Sequence, residues 1–301
     1  MKHVLTFDIE DWFHIMEIPE LENRKAWIEF PSIVEEKTAL ILEILDEYDT
    51  KATFFVLGWV ADNYPKIATA IVEKGHELAT HGYWHRRVYE QSPESFRDGL
   101  KKSVGILQEQ TGEKIIGYRA PSFSITPGNE WAFDIIKELG LEYDSSLFPA
   151  KRGHGGFPCD QNFHSIKTIN GDLTELPMSV LQFGPFKMPF SGGGYLRALP
   201  LRAIMSGFRA FEKKGIPVVV YLHPRDFAPD HPRVKMPLNR KFKSYIGLNS
   251  TERKLRNLLE TFEFDTCWNV LANEIQKREE LEECLVEMSD EKLRCMIINK
   301  Q

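Results

Sequence analysis

Strand-like apolar runs alternate with helix-like stretches along most of this chain, and five of the apolar runs lead into a short polar segment. Few architectures accommodate that alternation: a parallel sheet or barrel whose strands are joined by helical crossovers. Residues 4–7 read as a buried strand. Ile33, Lys37, Leu40, Ile41, Ile44, Leu45 and Tyr48 then recur at helical spacing before a second strand over 52–57. A helix over about 60–74 stops at Gly75, a favourable residue just past a helix end, and a strand follows over 77–80. Pro93 opens a helix that ends at Gly112, followed by a strand over 115–118. A helix over 129–139 ends at Gly140 before a strand over 141–144.

The pattern breaks over 148–199 into Gly- and Pro-rich loops with short strands, including 173–177, and the run 191–195; long irregular segments of this kind usually carry function. It resumes with a helix over 201–214 and a strand over 217–222. A last helix and strand occupy about 251–268, with Phe262, Phe264 and Trp268 as apolar anchors. Beyond them Ile275, Leu281, Cys284, Leu285 and Met288 form an amphipathic stripe in a charged tail over 269–301.

At 301 residues and 42% apolar composition the chain can bury a large core. Lys and Arg number 38 against 44 Asp and Glu, a net charge of −6. No basic surface is implied, so neither nucleic acid nor an anionic lipid surface is expected as partner, and a neutral or weakly charged substrate fits better. No apolar run approaches the roughly 20 residues needed to span a bilayer. The strand at 4–7, with acidic Asp8, Glu10 and Asp11 directly after it, leaves no room for a secretory leader, and a cytoplasmic protein is expected. Cys159, Cys267, Cys284 and Cys295 lack C-x-x-C spacing, which favours reduced thiols over a disulfide framework.

The five polar segments are residues 8–11 (Asp-Ile-Glu-Asp), 81–85 (His-Gly-Tyr-Trp-His), 119–122 (Arg-Ala-Pro-Ser), 144–146 (Asp-Ser-Ser) and 222–223 (Leu-His). Each lies at or after a strand end, where a parallel barrel presents its reactive loops. Two imidazoles four residues apart, His81 and His85, can grip one divalent metal, and an acidic third ligand would leave a position open for water. Asp8 and Glu10 share a strand face, since side chains alternate, while Asp11 falls where the chain leaves the strand. One carboxylate would bind metal and another take a proton from water, with Arg119 orienting the base through a charge-assisted hydrogen bond. His223 could protonate a departing amine, and Asp144 could hold that ring and raise its pKa.

These segments, in this order, resemble the NodB-type polysaccharide deacetylases, carbohydrate esterase family 4, whose motifs take the forms T-F-D-D, H-S/T-x-x-H, R-x-P-Y, D-x-S-W and L-x-H. The likeness runs over about 3–225, and the region over 224–268 is similar to an extension in a subgroup associated with bacterial exopolysaccharide biosynthesis. The resemblance implies a deformed (β/α) barrel over 1–268, with a loop insertion at 148–199, and zinc-dependent removal of N-acetyl groups from a hexosamine-containing glycan or its lipid- or nucleotide-linked precursor. It makes Asp8 the base, His81 and His85 ligands, Arg119 the residue that orients Asp8, and His223 the acid supported by Asp144; the backbone N–H of Ser122 donates to the oxyanion. Two departures matter. Ile9 replaces the second Asp of the first motif, so the acidic ligand is Glu10, favoured by strand alternation, or Asp11. Leu147 replaces the Trp of the fourth, leaving Trp12, Phe13, Trp84 or Tyr195 to supply a sugar-stacking wall. Two other readings stand beside this one. Relatives of allantoinase or deformylase type suggest a small-amide hydrolase, whose closed pocket would need an anion-binding residue such as Arg197, and a non-catalytic carbohydrate-binding protein could use the same fold.

Overall fold

The computed structural model describes residues 1–277 other than 152 and 154. Its first strand, β1 (His3–Ile9), is buried at all seven positions, as befits a strand covered on both faces. The second to fifth strands are β2 (Thr53–Val56), β3 (Glu77–Thr80), β4 (Gly117–Tyr118) and β5 (Tyr143–Asp144). A hairpin of β6 (His164–Thr168) and β7 (Gly171–Glu175) follows, then a separate hairpin of β8 (Val180–Phe183) and β9 (Phe186–Pro189), and finally β10 (Val219–Leu222) and β11 (Phe264–Asp265).

The main sheet runs in the order β10-β1-β2-β3-β4-β5-β7-β6, with β11 paired to the start of β1. Every pairing in it is parallel except that of β6 with β7. The parallel α/β fold expected from the alternation is therefore present. Among the described residues its ladder does not close on itself; an isolated bridge from Gly192 to Tyr221 lies beyond β10.

Alternation along β1 separates two apolar layers. Leu5, Phe7 and Ile9 join the large cluster that the helices cover. Val4 faces the other way, with Phe55, Ala79, Tyr143, Val219 and Tyr221 from neighbouring strands. Thr6, Asp8 and Glu10 continue that inner face, so β1 carries polar groups inward along a line aimed at the ends of the parallel strands.

The helices are α1 (Val34–Glu47), α2 (Gly58–Asn63), α3 (Lys66–Glu73), α4 (Pro93–Thr111), α5 (Trp131–Glu138), α6 (Gly193–Ala198), α7 (Leu201–Glu212), α8 (Leu238–Tyr245) and α9 (Thr251–Thr261). The single helix expected over 60–74 is two, because Pro65 has no N–H to carry the ladder through and caps the second. Gly112 ends α4 in the left-handed conformation at φ 75°, as its position in the sequence suggested. The glycine run at 191–195 starts a helix: Gly192 caps α6, and a Cβ there would lie 2.2 Å from the Tyr221 ring, so only glycine permits that approach. Residues 267–277 are helical; Leu281, Cys284, Leu285 and Met288 of the expected tail stripe lie outside the described residues. Cys159 and Cys267 are free thiols, both pushed up to about 12 by burial. No helix among the described residues is long and apolar enough to cross a membrane.

Candidate metal and proton-transfer site

Adjacent parallel strands bring their C-terminal ends together, and the polar segments meet there. Glu10 follows β1, His81 follows β3, and His85 ends a turn in which Gly82 and His85 both adopt positive φ. The three are buried, and their ligand atoms all lie within 4.8 Å of one another.

This donor set fits a divalent metal. His81 Nδ1 is 2.9 Å from the Arg119 carbonyl; a carbonyl only accepts, so Nδ1 carries the proton and Nε2 keeps its lone pair. Burial lowers the His81 pKa to about 4, which keeps the ring neutral. Glu10 Oε2 is 2.5 Å from His85 Nε2. Burial alone would raise Glu10, but His85, then His223 and Arg225, outweigh it and hold the carboxyl well below its usual range, ionised.

Asp11 is elsewhere. Its Oδ1 accepts from Trp12 N at 2.8 Å, while Oδ2 accepts from Ser32 Oγ, Ile33 N and Val34 N at 2.6, 3.0 and 3.2 Å. Of the two alternatives for the acidic ligand, the cluster contains Glu10; Asp11 instead caps the turn Trp12–His14 and the chain entering α1.

Beside the cluster lies Asp8, whose Oδ1 accepts from Arg119 Nη1 at 2.9 Å. Arg119 is fully buried and bonded at every nitrogen: Nη1 also donates to Thr6 Oγ1 at 2.7 Å, Nε to the Ser145 carbonyl at 3.1 Å and Nη2 to Ser145 Oγ at 3.0 Å. Its guanidinium stacks 4.0 Å from the Phe55 ring centroid. The side chain thus holds Asp8 at one orientation.

His223 Nε2 lies 3.8 Å from Asp8 Oδ2 and 3.7 Å from Glu10 Oε1. Asp144, expected to hold this ring, does not reach it. Asp144 accepts from Ser146 Oγ at 2.5 Å and Ser146 N at 3.3 Å, and it interacts with Glu175, both carboxyls being fully buried. The partner of His223 is Asp226, whose Oδ2 lies 3.0 Å from both its Nδ1 and its backbone N. Arg197 Nε backs Asp226 at 3.1 Å from Oδ1. Burial lowers His223, yet the hydrogen bond and charge of Asp226, followed by Glu10, more than offset it, and its pKa is raised. Arg197 also donates to the carbonyls of Ser244 and Lys243, at 2.8 and 3.1 Å.

Asp8, Glu10, His81, His85, Arg197 and His223 open onto a cavity of about 790 Å³, also lined by Ser122, Tyr195 and Tyr221. Ser122 and Phe123 both have positive φ, 58° and 54°, an uncommon conformation for such residues that concentrates at functional sites. Of the expected stacking residues, Tyr195 lines the cavity. Trp12 and Phe13 are core residues, 3% and 0% exposed, and Trp12 Nε1 donates to the Pro31 carbonyl at 2.9 Å. Trp84 is partly exposed but lines a separate, smaller recess with Tyr83 and Phe96. Sequence reasoning missed Thr6, Asp226 and the role of Arg197. Thr6 had a local signal in the strand alternation it shares with Asp8, and Asp226 had one as a carboxylate three residues after His223 in capping-box spacing.

Two family matches divide the chain. Residues 19–143 match the polysaccharide deacetylase family, and residues 145–272 match a domain of unknown function, DUF3473. A peptidoglycan deacetylase-like protein of Gibberella zeae is 32% identical over 130 residues, 40% of this chain and 36% of that protein. The peptidoglycan deacetylase of Helicobacter pylori is 29% identical over 151 residues, 46% of this chain and 50% of that protein. The chain thus spans half or less of the length of these relatives. Among solved structures, a Mycobacterium smegmatis protein described as a polysaccharide deacetylase has a TM-score of 0.61 at 22% identity, covering 92% of this chain and 90% of its own. An allantoinase has a TM-score of 0.58 at 15% identity, covering 89% and 87%. At these identities the likeness is one of fold.

Proposed function

We propose that this chain, in which residues 19–143 match the polysaccharide deacetylase family, is a metal-dependent hydrolase that removes N-acetyl groups from hexosamine residues of a glycan or glycan precursor. The observation that carries the reading is the Glu10, His81 and His85 cluster with a carboxylate, Asp8, and a protonatable imidazole, His223, beside it. Peptidoglycan relatives make an N-acetylglucosamine polymer the first substrate to try.

Glu10, His81 and His85 would hold the metal, zinc being the expected ion, which when bound supplies a Lewis acid that acidifies water and polarises the acetamide carbonyl. Asp8, fixed by Arg119, accepts the proton of the attacking water. His223 Nε2 gives a proton to the departing sugar amine, and Asp226 keeps Nδ1 protonated so that Nε2 faces the cavity. The backbone N–H of Ser122 is the donor to the developing oxyanion; one such donor contributes about 3 kcal/mol. Tyr195 is the aromatic wall available to a sugar ring.

Arg197 is committed to Asp226 and two backbone carbonyls, so it is not the anion clamp that a small-amide hydrolase would use. The test is acetate release from N-acetylated chitooligosaccharides, peptidoglycan fragments and sugar-nucleotide precursors by zinc-loaded protein beside Asp8→Asn. Release by the wild type alone supports the reading; release by neither on any substrate defeats it.

A further inference from the structure

The net charge of −6 conceals a local reversal of sign. Residues 231–251 contain Arg233, Lys235, Arg240, Lys241 and Lys243 and no Asp or Glu. This stretch includes α8 and supplies one wall of the cavity, through Arg240, Phe242, Lys243 and Ile246. Glu17, which also lines the cavity, is engaged by both Arg87 and Arg240.

Inside the cavity the decisive residue is Arg225, on the short turn between His223 and Asp226. Its Nε is buried with no hydrogen-bond acceptor. Its nearest charged partner among the described residues is Glu10 Oε1, 3.8 Å from Nη2, too far for a hydrogen bond. Guanidinium groups held at a site normally find an acceptor on each nitrogen, as Arg119 and Arg197 do here, because an unpaired buried donor is unfavourable. A side chain placed beside the reacting groups with its fork unfilled is matched in shape and charge to a carboxylate or phosphate.

We propose that the substrate carries an anionic group close to the acetamide that is cleaved, and that Arg225 receives it, with Lys243 at the rim adding attraction at longer range. The inference rests on the deacetylase reading and narrows its substrate class to acidic glycans or phosphorylated precursors. Two sources share the chemistry: the carboxylate of a neighbouring uronic acid and the phosphate of a linked precursor.

Calorimetry on the zinc-loaded Asp8→Asn variant of the 301-residue chain would compare three probes: a tetrasaccharide of alternating glucuronate and N-acetylglucosamine, N-acetylglucosamine 1-phosphate, and neutral N-acetylchitotetraose. We expect at least one acidic probe to bind about 10-fold or more tightly than the neutral one, with the advantage shrinking at 0.5 M salt. Which acidic probe wins identifies the source. Adding Arg225→Gln should abolish the preference, Arg225→Lys should keep part of it, and unchanged melting temperatures would show that the variants fold. Equal binding of acidic and neutral probes, or a preference that survives Arg225→Gln, overturns the proposal. So does an equal loss of turnover on acidic and neutral glycans when Arg225→Gln is placed in the otherwise wild-type chain, because the guanidinium would then serve the reaction and not the anion. Acetate release by the wild type is measured separately, so failure of anion recognition and failure of the deacetylase reading give different results.

Discussion

Asp226 Oδ2 lies 3.0 Å from Nδ1 and 3.0 Å from the backbone N of the same residue, His223. One carboxylate oxygen thus fixes both where the ring sits and which of its nitrogens faces the cavity. In the proposed reaction His223 is an acid and works only while protonated, so activity should fall as pH rises through its raised pKa. Asp226→Asn removes the hydrogen-bonded charge that raises it. The basic limb of the kcat profile should move to lower pH, with kcat down about 10²-fold at pH 8. Asp144→Asn should leave that limb in place, and a limb that moves only with Asp144 would reverse the assignment.

Glu10→Gln and Asp11→Asn separate metal holding from capping. The first should weaken zinc binding about 10- to 100-fold with little change in the metal-free melting temperature. The second should keep its zinc but lose about 1 kcal/mol of stability, since Asp11 caps two segments. Elemental mass spectrometry and thermal melts on the same samples decide.

Arg119 and Asp8 form a buried pair with side-chain exposures of 0% and 4%. Arg119→Met leaves the Asp8 carboxylate buried without its partner and should destabilise by about 3–5 kcal/mol. Adding Asp8→Asn should recover part of that loss, whereas simple additivity in a double-mutant cycle would mean that the pair is not coupled.

The Asp144 and Glu175 carboxyls give stability a pH slope. Burial raises Asp144 to about 6, and burial followed by the Asp144 charge pushes Glu175 well above its ordinary value. Both folded-state values lie above the unfolded ones, so their contribution is present in acid and is lost as pH rises through about 6 and beyond. Glu175→Gln, which needs no proton to stay neutral, should flatten that decline between pH 5 and pH 8. Denaturant midpoints at the two pH values measure it.

Trp12 and Tyr195 should part company. Trp12→Ala opens the core and should lower stability by about 3–5 kcal/mol. Tyr195→Ala should raise KM several-fold on oligosaccharides and leave the melting temperature nearly unchanged.

The sequence disclosed the parts of this site that strand chemistry fixes locally. Asp8 and Glu10 could be placed on one face by alternation, and His81, Arg119 and His223 by following a strand end. It could not disclose which way a residue turns once the strand is over. Asp144 ends β5 while Asp226 follows β10, and only the short turn at Pro224–Phe227 brings an acidic residue back to the His223 ring. Trp12 looked available because it adjoins the acidic cluster, yet the turn capped by Asp11 folds it into the core. Whole-chain charge averaged away the cationic wall over 231–251. Pro65 marks the break inside 60–74, but the apolar spacing continues across it and hides the boundary.

The line of Thr6, Asp8 and Glu10 along β1 makes catalysis and strand pairing one and the same constraint. A one-residue slip of β1 against β2 and β10 would turn all three polar groups into the helix-covered layer and send Leu5, Phe7 and Ile9 to the reacting face at once. An insertion or deletion within this strand is therefore all-or-nothing: no half-active intermediate lies between the working chain and one that has lost its proposed base, its proposed acidic ligand and the anchor of its arginine together.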